Sequence, residues 1–188
     1  MRTLGMTSAC RGEGVSTLAA HLAITAAADG PVRVLLVDAD LEQPTLHRLL
    51  GTQLDPGLAE CLRAERGPAE AAGESGFPGV SMLGAGRLRD SPARLWDLPT
   101  LPGLVEDLSH EFELVVFDLP PVAQQSWMRR LAGLLDGVLL VVEAERVSGQ
   151  AARRAKELLR GTEAHLLGAV LNKQREGLPH WLRTDSSG

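Results

Sequence analysis

Short, almost continuously apolar runs alternate along this chain with segments of helical spacing. Val32 to Asp38 (VRVLLVD), Glu113 to Asp118 (ELVVFD), Gly137 to Glu143 (GVLLVVE) and Leu166 to Asn172 (LLGAVLN) are β-rich and lack a polar alternation. That is the pattern of strands buried on both faces of a parallel sheet. RTLGMTS at the N-terminus and GVSMLGA near residue 80 are weaker strands of the same kind. Between them, Ser16 to Ala28, Leu101 to His110 and Gly149 to Gly161 carry helical periodicity, with Gly161 as a stop signal. The alternation predicts an α/β fold: a doubly wound, mainly parallel sheet flanked by helices, P-loop NTPase-like in its layout. One domain spans residues 1–175, followed by a short C-terminal tail, 176–188, whose last residues TDSSG are expected to fray. The Gly- and Pro-rich stretch RGPAEAAGESGFPG reads as a surface connection.

Composition narrows the class. At 188 residues the chain is long enough for one substantial core. A formal net charge of -5 excludes a generic nucleic-acid surface. No apolar run approaches the roughly 20 residues of a membrane span, and no secretory signal pattern opens the chain. The two cysteines, Cys10 and Cys61, are too far apart in sequence for a metal or disulfide framework. These features predict a cytoplasmic protein.

Ligands of open α/β sheets sit beyond the carboxyl ends of the strands. Four polar segments converge there: Ser8 to Ser16, Asp38 with Asp40, Asp118, and Asn172. The first reads SACRGEGVST, and its spacing is that of a phosphate-binding GxxxxGK[ST] loop, here Ala9 to Ser16. In such loops glycines let backbone N–H groups wrap the phosphates, the lysine neutralises them and the hydroxyl holds Mg²⁺. Gly12, Gly14 and Ser16 survive; Val15 stands in place of the lysine and Ala9 in place of the first glycine. The candidate cofactor-binding residues are Gly12, Glu13, Gly14, Val15, Ser16 and Thr17, with Ser16, Asp38 and Asp118 as the metal set. The cofactor they point to is ATP or ADP with Mg²⁺, made doubtful by the loss of the lysine. Close carboxylates such as Asp38 and Asp40 need a cation, water or hydrogen bonds to stay charged.

With these segments in order, the chain from about Arg2 to Asn172 resembles the cytoplasmic domain of bacterial tyrosine kinases, relatives of the partitioning and Min-type ATPases. SACRGEGVST is similar to the Walker A loop, VLLVDADLEQPTLHRLLG to the Walker A′ segment, and FELVVFDLPPV to the Walker B strand. GVSMLGAGRLRDSPARL, LDGVLLVVEAERVSGQ and LLGAVLNK match the remaining strands of the family. The resemblance implies a catalytic role for Asp38 and Asp40 and an adenine contact for Asn172. Several departures argue against catalysis. Val15 replaces the loop lysine, Cys10 stands where partitioning ATPases carry a signature lysine, Glu42 and Gln43 follow the DxD motif where basic residues are common, and Leu119 replaces the threonine after Asp118. The family's N-terminal extension and tyrosine-rich tail have no counterpart, and the chain contains no tyrosine.

Three functions compete. The first is a degenerate, regulatory partner in exopolysaccharide or capsule synthesis or export. It would act on a membrane polysaccharide co-polymerase or an active kinase paralogue and reach the inner face of the plasma membrane through that partner. The second is an active tyrosine kinase or ATPase with a non-standard loop. The third is a partitioning-type ATPase switch, which needs the missing signature lysine. His21 and His47 lie in helical patterns and read as packed or exposed residues, not ligands. Cys10 reads as a residue at a helix N-terminus, where thiol pKa can fall. Trp96, Trp127 and Trp181 read as too scattered for a stacking platform, and GLPHWLR as a weak amphipathic contact with a partner or membrane surface.

Overall fold

The structure is a computed structural model and describes residues 1–89, 91–124 and 127–174. The chain runs β1 (Thr3–Ser8), α1 (Val15–Ala28), β2 (Val34–Asp38), α2 (Leu46–Leu50), α3 (Leu58–Leu62), α4 (Pro68–Ala71), β3 (Gly73–Glu74) and β4 (Val80–Leu83). It continues through α5 (Pro92–Trp96), α6 (Leu101–Glu111), β5 (Leu114–Asp118), α7 (Met128–Leu134), β6 (Gly137–Glu143), α8 (Gly149–Arg160) and β7 (Leu166–Asn172). Among the described residues the strands form one seven-stranded sheet in the order β3-β4-β2-β5-β1-β6-β7. Every pairing is parallel except β3 with β4.

In β1, β2 and β5 the continuous apolar runs follow from cover on both sheet faces, whereas β7, expected to be buried on both faces, is an edge strand whose Leu167, Ala169 and Leu171 are exposed. Along β2, Leu35 and Val37 enter one core cluster, while Val34 and Leu36 enter the other. Val115 and Phe117 of β5 likewise lie opposite Val116. The first cluster takes buried residues from each of α3 to α8; the second takes them from α1 and α2. From β1 the chain winds towards β2, and later returns to β6 on the other side of β1. Winding therefore reverses beside β1, and the crevice beyond its carboxyl end is where such sheets bind ligands. Among the described residues no helix is long and apolar enough to cross a membrane.

Two expectations need correction. The Gly- and Pro-rich stretch is more than a surface connection: it holds α4, begun by Pro68 at the first helical position, and the antiparallel edge strand β3. The tryptophans are not all scattered. Trp96 on α5 and Trp127 before α7 stack with ring centroids 4.3 Å apart and planes 7° from parallel, both in the first core cluster. Trp181, GLPHWLR and the tail lie outside the described residues. Trp96 is fully buried, so Trp96→Ala removes both the stack and the volume it fills. The expected loss of stability is about 3–5 kcal/mol, read as a lower urea midpoint at an unchanged m-value.

Candidate functional site

Ser8 ends β1, and Gly12 and Gly14 turn the chain towards α1 with φ of +83° and +88°. These are left-handed values that side chains other than glycine adopt at a cost. At Gly14 a Cβ would also collide with the Asn172 amide.

The loop is held from behind by β6, β7 and the turn between β6 and α8. Three consecutive loop carbonyls each accept a side-chain donor. Arg146 Nη2 donates to Arg11 O at 3.3 Å, Lys173 Nζ to Gly12 O at 2.7 Å, and Asn172 Nδ2 to Glu13 O at 2.8 Å. The fully buried Glu13 completes the clamp, its carboxylate accepting from Cys10 N at 2.8 Å and Glu143 N at 3.2 Å. Glu143 Oε2 accepts from both Arg146 Nη1, at 2.8 Å, and Lys173 Nζ, at 3.1 Å. The Arg146 hydrogen bond, and after it Lys173, holds the Glu143 carboxyl below its ordinary range. The loop backbone is therefore fixed without help from a ligand.

The three aspartates meet different fates. Asp38 and Asp118 end β2 and β5 in register. Asp38 is fully buried, and its Oδ2 accepts from Thr45 N and Leu46 N, both at 2.9 Å, capping the start of α2. Its Oδ1 is buried without a hydrogen-bond partner. Burial pushes the Asp38 carboxyl up to about 7, with the nearby Asp40 adding to the shift. Asp118 is raised well above its ordinary value by burial and then by the Asp38 charge, while a hydrogen bond from Ser16 opposes the rise. Ser16 Oγ accepts in turn from Thr45 Oγ1 at 2.8 Å. Asp40 turns elsewhere: Oδ2 pairs with Arg11 Nη1 at 2.6 Å, and Oδ1 accepts from Gln43 N at 3.1 Å.

Before these strand ends lies a cavity of about 630 Å³. Gly12, Gly14, Val15, Ser16, Thr17, Asp40 and Asp118 line it, as do the cations Arg11, Arg48 and Lys173. Glu13 and Asn172 serve the loop from outside, and Asp38 stands behind the wall. Val15, at the lysine position, is buried in the second core cluster. Strand-end reasoning brought these segments together correctly but missed Thr45, Glu143, Arg146 and Lys173. Glu143 ends β6, so the same rule could have found it; Lys173 follows Asn172 directly. Cys10 is exposed in the loop and Cys61 is buried in α3. Among the described residues no group of three or more His, Cys, Asp or Glu side chains is poised to hold a metal.

A Mg²⁺-nucleotide fits most of this set. The Ser16 hydroxyl and Asp118, with the unpartnered Asp38 oxygen behind them, are oxygen donors of the kind Mg²⁺ takes, and the glycine turn suits phosphates. The bound ion would supply charge neutralisation to the phosphate oxygens. Val15 does not fit, because it offers no cation.

Fold and loop together define a P-loop NTPase domain. The chain belongs to the ParA family described as NUBPL iron-transfer P-loop NTPases, whose pattern matches residues 1–182. Its relatives include bacterial tyrosine kinases. It is 33% identical to tyrosine-protein kinase YwqD of Bacillus subtilis (strain 168) over 175 residues, 93% of this chain and 73% of that protein. The succinoglycan biosynthesis transport protein ExoP of Rhizobium meliloti (strain 1021) is 32% identical over 178 residues, 92% of this chain and 22% of that protein. Among solved structures, the chimerical protein CapA2B2 superposes with a TM-score of 0.87 at 27% identity, covering 93% of this chain and 77% of that one.

The raised carboxyls set a pH dependence. The folded Asp38 binds a proton up to about pH 7 that an unfolded aspartate releases near 3.8. Its contribution to stability is complete below that lower value and is lost as pH rises through about 7. In metal-free buffer Asp38→Asn should therefore flatten the decline. Its melting temperature should match the parent's near the acid end and exceed it by about 4 °C or more at mildly alkaline pH. Parallel melting curves for the two proteins would count against this burial argument.

Proposed function

We propose that this chain is a regulatory member of the bacterial tyrosine-kinase group, with weak or lost ATP binding, acting in exopolysaccharide or capsule synthesis or export. It docks on a membrane polysaccharide co-polymerase or on an active kinase paralogue, and so works at the inner face of the plasma membrane. The observation that carries the reading is Val15, an apolar residue packed into the core at the one loop position whose charge phosphate binding and transfer most need. The clamped loop around it argues for a retained scaffold. The polysaccharide setting is supported by the name of the relative ExoP, a succinoglycan biosynthesis transport protein. Cys10 in place of a signature lysine speaks against a partitioning switch.

A scaffold of this kind presents its nucleotide edge to a neighbour. A subunit that lacks the loop cation can occupy a place in an assembly without changing state with ATP. A second reading, an active kinase or ATPase with a non-standard loop, draws on one observation: Arg11 lines the cavity.

Val15→Lys should tighten Mg²⁺-ATP binding by about 10- to 150-fold, the equivalent of a charged hydrogen bond worth about 1.5–3 kcal/mol. Calorimetric titration reads this; tight binding by the unaltered chain, unimproved by lysine, would mean another group already serves.

Phosphoryl transfer and docking are tested separately. With labelled ATP and a tyrosine-rich peptide, transfer should not exceed that of an Asp38→Asn, Asp40→Asn control. Co-purification of the partner from the native cell should survive ATP depletion. Robust, aspartate-dependent transfer would favour the active-kinase reading, and loss of the partner on ATP depletion would sink ATP-independent docking.

A further inference from the structure

We propose that Arg11 is the phosphate-binding cation of this loop and that Asp40 is its resting counter-ion, so that an entering nucleotide phosphate must displace Asp40 from the guanidinium. The inference rests on the nucleotide-site reading of the cavity and assigns its charge to a residue outside the usual lysine position.

Three cations line the cavity, and their partners separate them. Lys173 is committed to the loop's own Gly12 carbonyl and to Glu143. Arg48 donates to Pro44 O at 3.2 Å, at the entrance of its own helix. Arg11 alone of the three pairs with an acid that itself lines the cavity, at 2.6 Å. Its side chain keeps 31% of its surface exposed against 11% for that of Asp40, so an anion can reach the guanidinium beside its present partner.

The backbone at Arg11 is already fixed, because Arg146 holds its carbonyl from outside the cavity. Only the side chain need move. Guanidinium binds phosphate and carboxylate through the same forked donors, so phosphate and Asp40 compete for one group. Binding through Arg11 is consequently weaker than through an unpaired lysine. It also releases Asp40 Oδ2 into the cavity as the phosphate arrives, which makes the ion pair a self-inhibitory contact at the mouth of the site.

The test is binding of ADP and ATP, followed by calorimetry in excess EDTA, which removes any role of Asp40 towards a metal ion. Arg11→Gln should weaken binding roughly tenfold or more. Asp40→Asn keeps an acceptor for Gln43 N but removes the competing charge, and should tighten binding several-fold. The double variant should behave as Arg11→Gln does. Melting curves of each variant confirm folding independently of the ligand.

Three results would overturn the inference. They are unchanged affinity in Arg11→Gln, a gain from Asp40→Asn that persists without Arg11, and no detectable binding by any variant at millimolar nucleotide. The first assigns the phosphates to another group, and the second reduces Asp40 to a general repulsion. The third leaves the regulatory reading standing with ATP binding lost. Tyrosine phosphoryl transfer, by contrast, would defeat that reading and leave the Arg11 pairing untouched.

Discussion

Two carboxyl groups end neighbouring parallel strands in register, Asp38 on β2 and Asp118 on β5, and both are buried. Like charges so placed cannot both ionise cheaply without a cation close by. The fold accommodates them in part by raising their pKa values, and in part by giving one Asp38 oxygen the two N–H groups at the start of α2. The rest of the site follows from this negative floor. Ser16 donates to Asp118, Thr45 donates to Ser16, and the third carboxylate, Asp40, is led away to Arg11. In a loop with its lysine, a further positive charge would stand at the head of α1. Here that position is apolar, so the charge balance of the cavity depends on an arginine that is already engaged.

The loop keeps its form despite that loss because its shape does not depend on the missing residue. Side chains from the β6–β7 end of the sheet hold three successive carbonyls, and Glu13 ties the loop back to Cys10 and Glu143. A loop organised by its phosphate ligand would loosen wherever that ligand was weakly held. One organised by Glu143, Arg146, Asn172 and Lys173 persists. Preorganisation and charge neutralisation are thus carried by separate residues, and the second can change while the first remains.

This separation also explains what the amino-acid order revealed. The apolar runs located β6 and β7 to the residue, although only β6 is largely buried and the edge strand β7 leaves Leu167 and Leu171 exposed. The strand-end rule then assembled the loop, the three aspartates and Asn172 on one edge. Helices α2, α3 and α5 escaped because five residues hold less than two turns, too few for a period to register. The Trp96–Trp127 stack joins residues far apart in sequence through the packing of α5 and α7, which no local pattern encodes. A strand-end aspartate is commonly a turn or cap residue, so a structural task for Asp38 was open from its type, and the path of the chain to Thr45 shows that α2 is what it caps.

That double task bears on how the site could lose catalysis yet keep its motif. If Asp38 served a metal alone, its carboxylate would be dispensable in a site without phosphoryl transfer, and its burial would be a pure cost. Instead its Oδ2 satisfies two backbone donors at the entrance to α2, and leaving buried donors unpaired costs about 1–3 kcal/mol. Val15 has no comparable duty to lose. A lysine there would bring a charge close to buried core, whereas valine joins Met6, Ala19 and others in the second cluster. The lysine position is therefore cheaper to change than Asp38, which can give way only to a residue that keeps an oxygen for Thr45 N and Leu46 N. A phosphate loop with an intact carboxylate floor and an apolar residue at its centre is the combination that this difference in cost favours.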